Sequence, residues 1–270
     1  MLQRLAHATA LTVLSLGVLV ACSSTAPGNG RADDQTAPPQ PTAIVEGSAW
    51  QASNHIGGTS TSTRWEHQTF VKRKPTAYSA TEFEGRPAVK ALANGSNSTL
   101  SLALTPPPGA LPKRFRFSWF VPALNPTFDL GKKGEDDAVA RLVLSFAGDR
   151  FNGKWAARDH IVSELSSLIA GKPMPYASIM YVWDSRYPAG TVISNPYTDR
   201  IRQIVVESGP QRLNQWVDFD RDVEADFRLA FGEDPGAMIG LSLMTDSNNS
   251  GATVAAWYGP IDLTLSSSRP

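Results

Sequence analysis

The sequence predicts a mainly all-β fold, an antiparallel jelly-roll-like β-sandwich with two short peripheral helices. Apolar and polar residues alternate along many short segments from Trp65 onward, and turn-forming residues separate these segments. Alternation with a period of two is typical of strands that bury one face. Many short strands at this spacing favour a sandwich or barrel over a parallel α/β sheet. The length from residue 63 to residue 270 suits one domain of about 200 residues.

The strands are predicted from this alternation in chain order. The clearest segments are 115–121, 142–146 and 179–183, and the others are 88–93, 99–104, 201–207, 238–244, 253–258 and 261–266. Glycine, proline and asparagine separate them, as in Asn94-Gly95 and in the PPPG run at 106–109. These residue types favour the backbone angles of tight turns. The sequence therefore predicts nine strands separated by turns.

Two helices interrupt the strand pattern. In the first, over 159–171, Asp159 can cap the start and Gly171 can end the helix in the left-handed conformation. Its apolar residues share one face; they are Ile161, Val162, Leu165, Leu168 and Ile169. The second helix is predicted over 222–231, before Gly232. Helices this short are marginal in water, so each is expected to pack on an end or edge of a sheet.

The N-terminus carries the features of a bacterial lipoprotein signal. Arg4 precedes an apolar run over 11–20, and the run closes at Ala21-Cys22, the only cysteine of the chain. An apolar run this short is of signal-peptide length and does not suit a membrane-spanning helix. The sequence therefore predicts a signal peptide over 1–21 and acylation of Cys22 with palmitate-type chains. A plain secretory signal with an incidental cysteine is the alternative.

Residues 22–62 are predicted to be a flexible tether between the lipid and the domain at 63–270. They are rich in Ser, Thr, Pro, Gly and Ala, although Ile44, Val45 and Trp50 are candidates for local docking. The expected location is the cell envelope, anchored to the lipid bilayer through Cys22. In a Gram-negative host, Ser23 after the cysteine favours the outer membrane.

Charge and cysteine content exclude several classes of function. The chain has 25 basic and 25 acidic residues, with no clustered basic face of the kind that nucleic-acid-binding proteins carry. With Cys22 acylated, no thiol remains for a disulfide or a thiolate metal site. The Gly-x-Ser-x-Gly motif of serine hydrolases and the His-Glu-x-x-His zinc motif are absent from the sequence. We therefore expect no nucleic-acid partner and no cofactor.

From Arg64 to the C-terminus, the chain resembles the bacterial family known as domain of unknown function 3047. The resemblance rests on ordered blocks, which include Phe117-Ser118-Trp119, Glu135-Asp136-Asp137, Tyr181-Val182-Trp183, Asn195-Pro196-Tyr197-Thr198 and the run MTDSNNSG at 244–251. It implies no activity. Relatives tend to carry a second acidic residue in the last block, where this chain has Asn248. This difference weakens any argument for a metal there.

One candidate site is a surface for sugar recognition. Trp183, Asn195, Tyr197 and Arg200 combine aromatic rings with amide and guanidinium donors. Rings of this kind stack on the C–H faces of sugars, while polar groups bind the hydroxyls. The alternative is that Trp183 and Tyr197 are core residues whose polar atoms bond locally.

A second candidate is the acidic cluster of Asp136, Asp137 and Asp246. Carboxylates brought together could bind Ca²⁺ or act as an acid–base pair. Asp246 and Asn248 also alternate like the oxygen donors of a calcium loop, but the complete loop pattern is absent. In the alternative interpretation, Asp136 and Asp137 bond turn backbone or contact Arg141 in the following strand, and Asn248 belongs to a hairpin turn.

The leading functional hypothesis is a non-catalytic envelope module that binds a polysaccharide or cell-wall glycan. It rests on analogy between folds. A carbohydrate-active hydrolase or lyase that uses Asp136, Asp137 and Asp246 is the first alternative, since such enzymes need only two carboxyl groups at the right separation. The second alternative is a structural envelope protein, for which a large exposed apolar patch would be the indication.

Overall fold

The computed structural model describes residues 45–57 and 64–266, which belong to one compact unit over 40–270. Within these residues the chain forms two seven-stranded sheets and three helices. The sheets pack face to face around one apolar core. The predicted β-sandwich is confirmed.

Sheet 1 contains the strands that flank the candidate site discussed below. They are β1 (His55–Ile56), β3 (Ala77–Phe83), β4 (Arg86–Asn94), β6 (Pro112–Phe120), β11 (Trp216–Asp222), β13 (Thr253–Tyr258) and β14 (Asp262–Leu265). The sheet order is β1-β14-β6-β13-β4-β3, and β11 pairs with β6 on its other side. Two strands from the last part of the chain, β13 and β14, thus lie between strands from the first part.

Sheet 2 forms the opposite layer. Its strands are β2 (Trp65–Thr69), β5 (Ser98–Ala103), β7 (Ala138–Phe146), β8 (Ala177–Asp184), β9 (Val192–Ser194), β10 (Ile201–Ser208) and β12 (Met238–Asp246), in the order β2-β5-β12-β7-β8-β10-β9. Most pairs are antiparallel as predicted, but β8 pairs with β10 in parallel, as β1 does with β14. The β9–β10 hairpin turns the chain back a second time, so that β10 runs in the same direction as β8.

The core is built from the inward side chains of both sheets. Phe117 and Trp119 of β6 face Tyr181 and Trp183 of β8, with ring centroids 5.6 Å apart for Phe117–Tyr181 and 6.5 Å apart for Trp119–Trp183. Aromatic pairs at such distances add to the free energy gained by burial alone. The alternation recognised in the sequence thus corresponds to the buried faces of the strands.

The folded unit begins earlier than the sequence predicted. Helix α1 (Ala49–Ala52) lies in the segment assigned to the tether, and its Trp50 is buried with Nε1–H donating to the Gly259 carbonyl at 2.9 Å. Since β1 also pairs with β14, residues 45–57 belong to the sandwich. The signal peptide, Cys22 and the rest of the predicted tether before residue 45 lie outside the described residues.

The other two helices have nearly the bounds that the sequence predicted. Helix α3 (Val223–Phe231) begins at an Asp222 cap, whose carboxylate accepts from the Ala225 N–H at 2.9 Å, and ends at Gly232 with φ of 67°. Helix α2 (Ala157–Ala170) ends at Gly171 with φ of 71°. No helix in the described part of the chain is long and apolar enough to cross a bilayer.

The sequence predicted that helix α2 packs its apolar face on a sheet. In the structure, most of this face is exposed instead. Its buried side chains are Asp159 and Ser163, whereas Ile161, Leu165, Leu168 and Ile169 are exposed. The Asp159 carboxylate accepts from the Thr198 hydroxyl and the Asp199 N–H. Val162 of the predicted face is half-buried and packs against the core, and these polar contacts add to its attachment of the helix to the sandwich.

Candidate functional site

The predicted sugar-binding residues do not form one exposed surface. Trp183 has only 2% of its surface exposed, and its Nε1–H donates to the Gly209 carbonyl at 3.0 Å. Burial against Trp119 leaves no face of this indole for a sugar ring. The alternative interpretation of Trp183 as a core residue agrees with the structure.

Arg200 is also buried. Its Nη2 donates to Glu233 at 2.6 Å, and its guanidinium lies 4.3 Å from the centre of the Tyr176 ring. Asn195 closes the turn by accepting the Tyr197 N–H at 3.0 Å. Of these four residues, Tyr197 keeps a substantially exposed ring, with Lys133 Nζ 5.4 Å from its centre. The set therefore does not offer the aromatic platform that the sequence suggested.

The acidic cluster does come together, at the end of sheet 2 where β7 and β12 meet. The Asp137 carboxylate accepts from the backbone N–H of Asn249 at 3.1 Å and of Ser250 at 2.9 Å. Asp136 accepts from the Asn249 side-chain amide at 3.1 Å, and Asp246 accepts from the Ala138 N–H at 2.9 Å. The three aspartates hold the 246–251 loop against the start of β7.

Asp246 is the unusual member of this cluster. It is buried, and burial raises the pKa of its carboxyl to about 6, an effect opposed by Arg141 and reinforced by Asp137. Arg141 is equally buried, with Nη1 3.6 Å from the Asp246 carboxylate and Nη2 donating to the Asp136 carbonyl at 2.8 Å. A raised pKa suits a general acid, but a group enclosed in this way has no access to a substrate.

The predicted calcium donors are engaged with protein groups. Asn248 Oδ1 accepts from the Asn97 side-chain amide at 2.7 Å, and Asp246 bonds Ala138 as described above. Among the residues that the structure describes, no group of three or more His, Cys, Asp and Glu side chains is placed to hold a metal ion. A neighbouring cavity of about 620 Å³ is lined by Phe128, Asp137 and Arg186 among others. Because the Asp137 carboxylate is only 1% exposed, it contributes little to that surface.

A groove on the outer face of sheet 1 is a better candidate, and the sequence did not predict it. It has a volume of about 540 Å³ and runs between the β3–β4 hairpin and the loop before β14. Its lining includes titratable residues of both charge types, which are His55, Arg86, Arg116, Asp218, Asp220 and Asp262. We call this feature the sheet 1 groove.

The pairing of β6 with β11 creates the charged lining. Asp220 lies opposite Arg116, Asp218 lies opposite Ser118, and Asp262 of β14 lies on the other side of Arg116. Since every second residue of a strand points to the same face, these side chains all point outward. Arginine and carboxylate groups therefore alternate across three adjacent strands.

Ion pairs fix the charge state of the groove. Arg86 donates to both oxygens of Asp218, at 2.5 and 3.1 Å. Arg114 donates to both oxygens of Asp220, and its guanidinium, with help from Arg116, lowers the pKa of that carboxyl. Asp220 is thereby held as an anion that can accept hydrogen bonds, which is the opposite of what a general acid requires.

An aromatic cluster lies beside the charged lining. Phe83 stacks on Trp257 with centroids 4.2 Å apart, and both rings also approach Phe120. The half-buried Trp216 joins this cluster, with the Arg86 guanidinium 5.2 Å from its ring. Trp216 is on the same face of β11 as Asp218 and Asp220. A ligand lying along β11 would thus meet an indole first and two carboxylates next.

The sequence contains a signal for this site. Arg114 and Arg116 alternate with Phe115 and Phe117, a pattern that by itself indicates only a solvated strand face. The complementary alternation of Trp216, Asp218 and Asp220 was not recognised as a strand. Read together, the two segments predict an ion-paired face on adjacent strands.

A family model described as "Protein of unknown function (DUF3047)" matches residues 63–262. This match covers most of the chain. The chain belongs to this family. The resemblance recognised in the sequence is thus confirmed, and the family brings no activity with it.

Other comparisons add little about function. No protein of curated function matches the chain. Among solved structures, the xyloglucanase domain of NopAA, a type three effector from Sinorhizobium fredii solved in complex with cellobiose, is similar with a TM-score of 0.31 and 9% identity. The similarity covers 75% of this chain and 98% of that one. A likeness this remote carries no argument about the site.

Proposed function

We propose that this DUF3047 protein is an envelope lipoprotein whose β-sandwich binds a glycan in the sheet 1 groove without cleaving it. The observation that carries the proposal is the row formed by Trp216, Asp218 and Asp220 on one face of β11, beside Arg86 and Arg116. Sugars present apolar C–H faces and many hydroxyls. An indole followed by charged acceptors and donors complements both.

Binding is favoured over hydrolysis because of the charge states of the carboxyl groups. A glycosidase of the usual kind needs one carboxyl that stays protonated beside one that is ionised. Each aspartate in the groove is paired with an arginine, and the pKa of Asp220 is lowered. The carboxyl with a raised pKa, Asp246, is only 4% exposed. The acidic cluster is therefore better explained as a structural element than as a catalytic pair.

The test is binding of the purified chain to an array of cell-wall and storage polysaccharides and to peptidoglycan sacculi. We expect retention on at least one of them, with no release of reducing ends. Asp220→Asn should weaken the retention about tenfold, as loss of a hydrogen bond to a charged group does. Trp216→Ala should weaken it by a similar factor, because it removes the aromatic contact with the sugar. Tyr197→Ala, which removes an exposed ring outside the groove, is the matched control and should bind normally.

Two results would overturn this assignment. Absence of retention on every polysaccharide would remove glycan binding. Release of reducing ends that stops in Asp246→Asn but not in Asp220→Asn would favour the hydrolase alternative. Circular dichroism of each variant separates lost binding from lost folding.

We further propose that acylated Cys22 anchors the protein in the cell envelope, in the outer membrane where the host has one. The support is the apolar run over 11–20 followed by the cysteine. Several acyl chains hold a protein on a bilayer far more durably than one. Metabolic labelling with palmitate should mark the wild type and not Cys22→Ser. Labelling of both proteins, or of neither, would refute this anchor.

A further inference from the structure

Helix α2 presents its apolar residues to solvent. The exposed fractions are 62% for Ile161, 50% for Leu165, 75% for Leu168 and 47% for Ile169. These residues lie at spacings of three, four and seven, and therefore on one side of the helix. The opposite side, with Asp159 and Ser163, faces the protein. The usual orientation of an amphipathic surface helix is reversed.

The contacts that attach α2 do not use this apolar stripe. Ser163 Oγ accepts from the Met174 N–H at 3.2 Å, and the Ala170 carbonyl accepts from the Gln68 side chain at 3.0 Å. Together with the bonds of Asp159, these contacts hold the inner side of the helix. The exposed leucines can thus be changed without breaking a contact that holds the helix in place.

The apolar surface continues beyond the helix at both ends. Phe151, 86% exposed, stacks on His160 with centroids 5.7 Å apart. At the other end, the N–H of the exposed Val71 donates to the Ile169 carbonyl at 3.0 Å. Contiguous exposed apolar surface of this kind marks an interaction site.

The surroundings of the stripe are basic. Residues 70–74 and 149–172 contain seven Lys and Arg residues against three Asp and Glu residues, a balance of +4 in a chain whose formal net charge is zero. One of the three acidic residues, Asp159, is buried and hydrogen-bonded. The exposed basic residues Lys72, Arg73 and Lys74 adjoin Val71, and Lys172 directly follows the helix. A helix that combines an apolar face with a basic border is suited to the interface of an anionic bilayer.

We propose that the outward face of α2 docks on an anionic lipid surface, with its leucines and isoleucines among the acyl chains and the surrounding lysines and arginines at the headgroups. This contact does not depend on acylation of Cys22 or on glycan binding. Its effect would be to orient the sandwich relative to the membrane.

The test places a fluorescent reporter on the helix. Cys22 is the only cysteine, so the full chain with Cys22→Ser and Leu168→Cys has one thiol for an environment-sensitive dye. We expect the emission to shift to the blue on vesicles of phosphatidylglycerol and phosphatidylcholine, but not on phosphatidylcholine alone. The shift should decrease in high salt, because salt screens the headgroup charge. A dye at Thr81→Cys should keep its aqueous emission, because Thr81 is an exposed residue of β3 in sheet 1 and lies outside the proposed contact.

Paired substitutions measure the strength of the contact. Leu165→Ser with Leu168→Ser should lower partitioning onto phosphatidylglycerol vesicles at least about tenfold, given the apolar area removed. Leu229→Ser is the matched control, because Leu229 is a leucine of α3 that is 63% exposed. It should change partitioning by less than about twofold, as expected for a residue outside the contact.

Three results would overturn the proposal. Aqueous emission of the Leu168 dye on anionic vesicles would show that the helix stays in water. Blue emission without vesicles would show that another part of the chain already covers the face. A dimer in sedimentation experiments that the two serine substitutions dissociate would show that a second copy is the partner. None of these results affects the glycan assay, so the two proposals fail independently.

Discussion

The buried carboxyl of Asp246 makes the stability of the protein depend on pH in a defined direction. Burial raises the pKa of this carboxyl from 3.8 to about 6. Since one pKa unit corresponds to about 1.4 kcal/mol, the change between unfolded and folded chains is worth about 3 kcal/mol. Below pH 3.8 the group is protonated in both states, and its stabilising contribution is fully present. The contribution is lost as the pH rises through about 6, because the unfolded chain releases the proton first.

The substitution Asp246→Asn isolates this effect. The amide cannot ionise, so the variant lacks the pH-dependent contribution and otherwise keeps the size of the side chain. We expect the free energy of unfolding of the wild type, minus that of the variant, to fall by about 3 kcal/mol between pH 4 and pH 7. Urea unfolding followed by tryptophan fluorescence at several pH values measures this difference.

The control is Asp218→Asn, which changes a carboxylate whose side chain is 67% exposed and paired with Arg86. For an exposed ion pair, the same difference should change by less than about 1 kcal/mol. A flat profile for Asp246→Asn would refute the argument from burial. A difference that grows with pH would show that the attraction of Arg141, 3.6 Å away, outweighs the loss of hydration.

Three further predictions concern the stability of the fold. Trp50→Ala should lower the free energy of unfolding by about 3–5 kcal/mol, because it leaves a cavity and removes the hydrogen bond to the Gly259 carbonyl. If urea unfolding shows that this free energy falls by less than about 1 kcal/mol, the docking of the N-terminal segment is contradicted. Gly259→Ala places its Cβ 2.1 Å from Ser118 Oγ. It should lower the free energy of unfolding by about 1–3 kcal/mol, and the added substitution Ser118→Ala should restore most of this loss. A double variant that is no more stable in calorimetry than Gly259→Ala would argue against this clash. Asp226→Asn weakens the pair with Arg221, whose Nη2 lies 2.5 Å away, and should cost about 2–3 kcal/mol; unchanged thermal unfolding would show that the pair adds no net stability.

The strands that the sequence predicted are the ones whose alternation reflects a buried face. Nine segments were predicted, and each corresponds to an observed strand within a few residues. The strands missed were β1, β2, β3, β9 and β11, all at an edge of a sheet. An edge strand buries fewer side chains: β3, for example, has one fully buried residue, Tyr78. Its apolar pattern is correspondingly weak, and its place is set by hairpin pairing with β4.

The helices show a different limit. Capping residues predicted both ends of α3 and the C-terminal end of α2, because caps act locally. The predicted start of α2 was wrong: Asp159 lies inside the first turn of the helix and accepts from the Ala156 N–H at 2.9 Å, and the cap position is Ala156. The predicted orientation of α2 was wrong. The spacing of apolar residues shows which side chains share a face of the helix, and not whether that face points toward the core or toward solvent. Here the hydrogen bonds of Asp159 and Ser163 decide the orientation, and their partners, Thr198 and Met174, come later in the chain.

The sheet 1 groove escaped prediction for a related reason. Its lining residues come from strands far apart in sequence, and only the register of β6 with β11 and β14 brings them together. The acidic cluster was easier to predict, because Asp136 and Asp137 are adjacent and the 246–251 loop is rich in polar residues. The prediction that these carboxyl groups lie close together was correct. Their chemistry depends on how deeply they are buried, which the sequence did not reveal.

The acidic cluster also explains how membership of the family can be recognised without indicating an activity. Two of the blocks that carry the resemblance, 135–137 and 244–251, meet in the structure. Their carboxylates accept the N–H groups of Ala138, the first residue of β7, and of Asn249 and Ser250 in the loop between β12 and β13. These N–H groups have no partner within a strand ladder, and a hydrogen bond to a charged group contributes about 1.5–3 kcal/mol, so the aspartates stabilise this end of the fold. Residues that preserve the sandwich thus identify the family without indicating an activity.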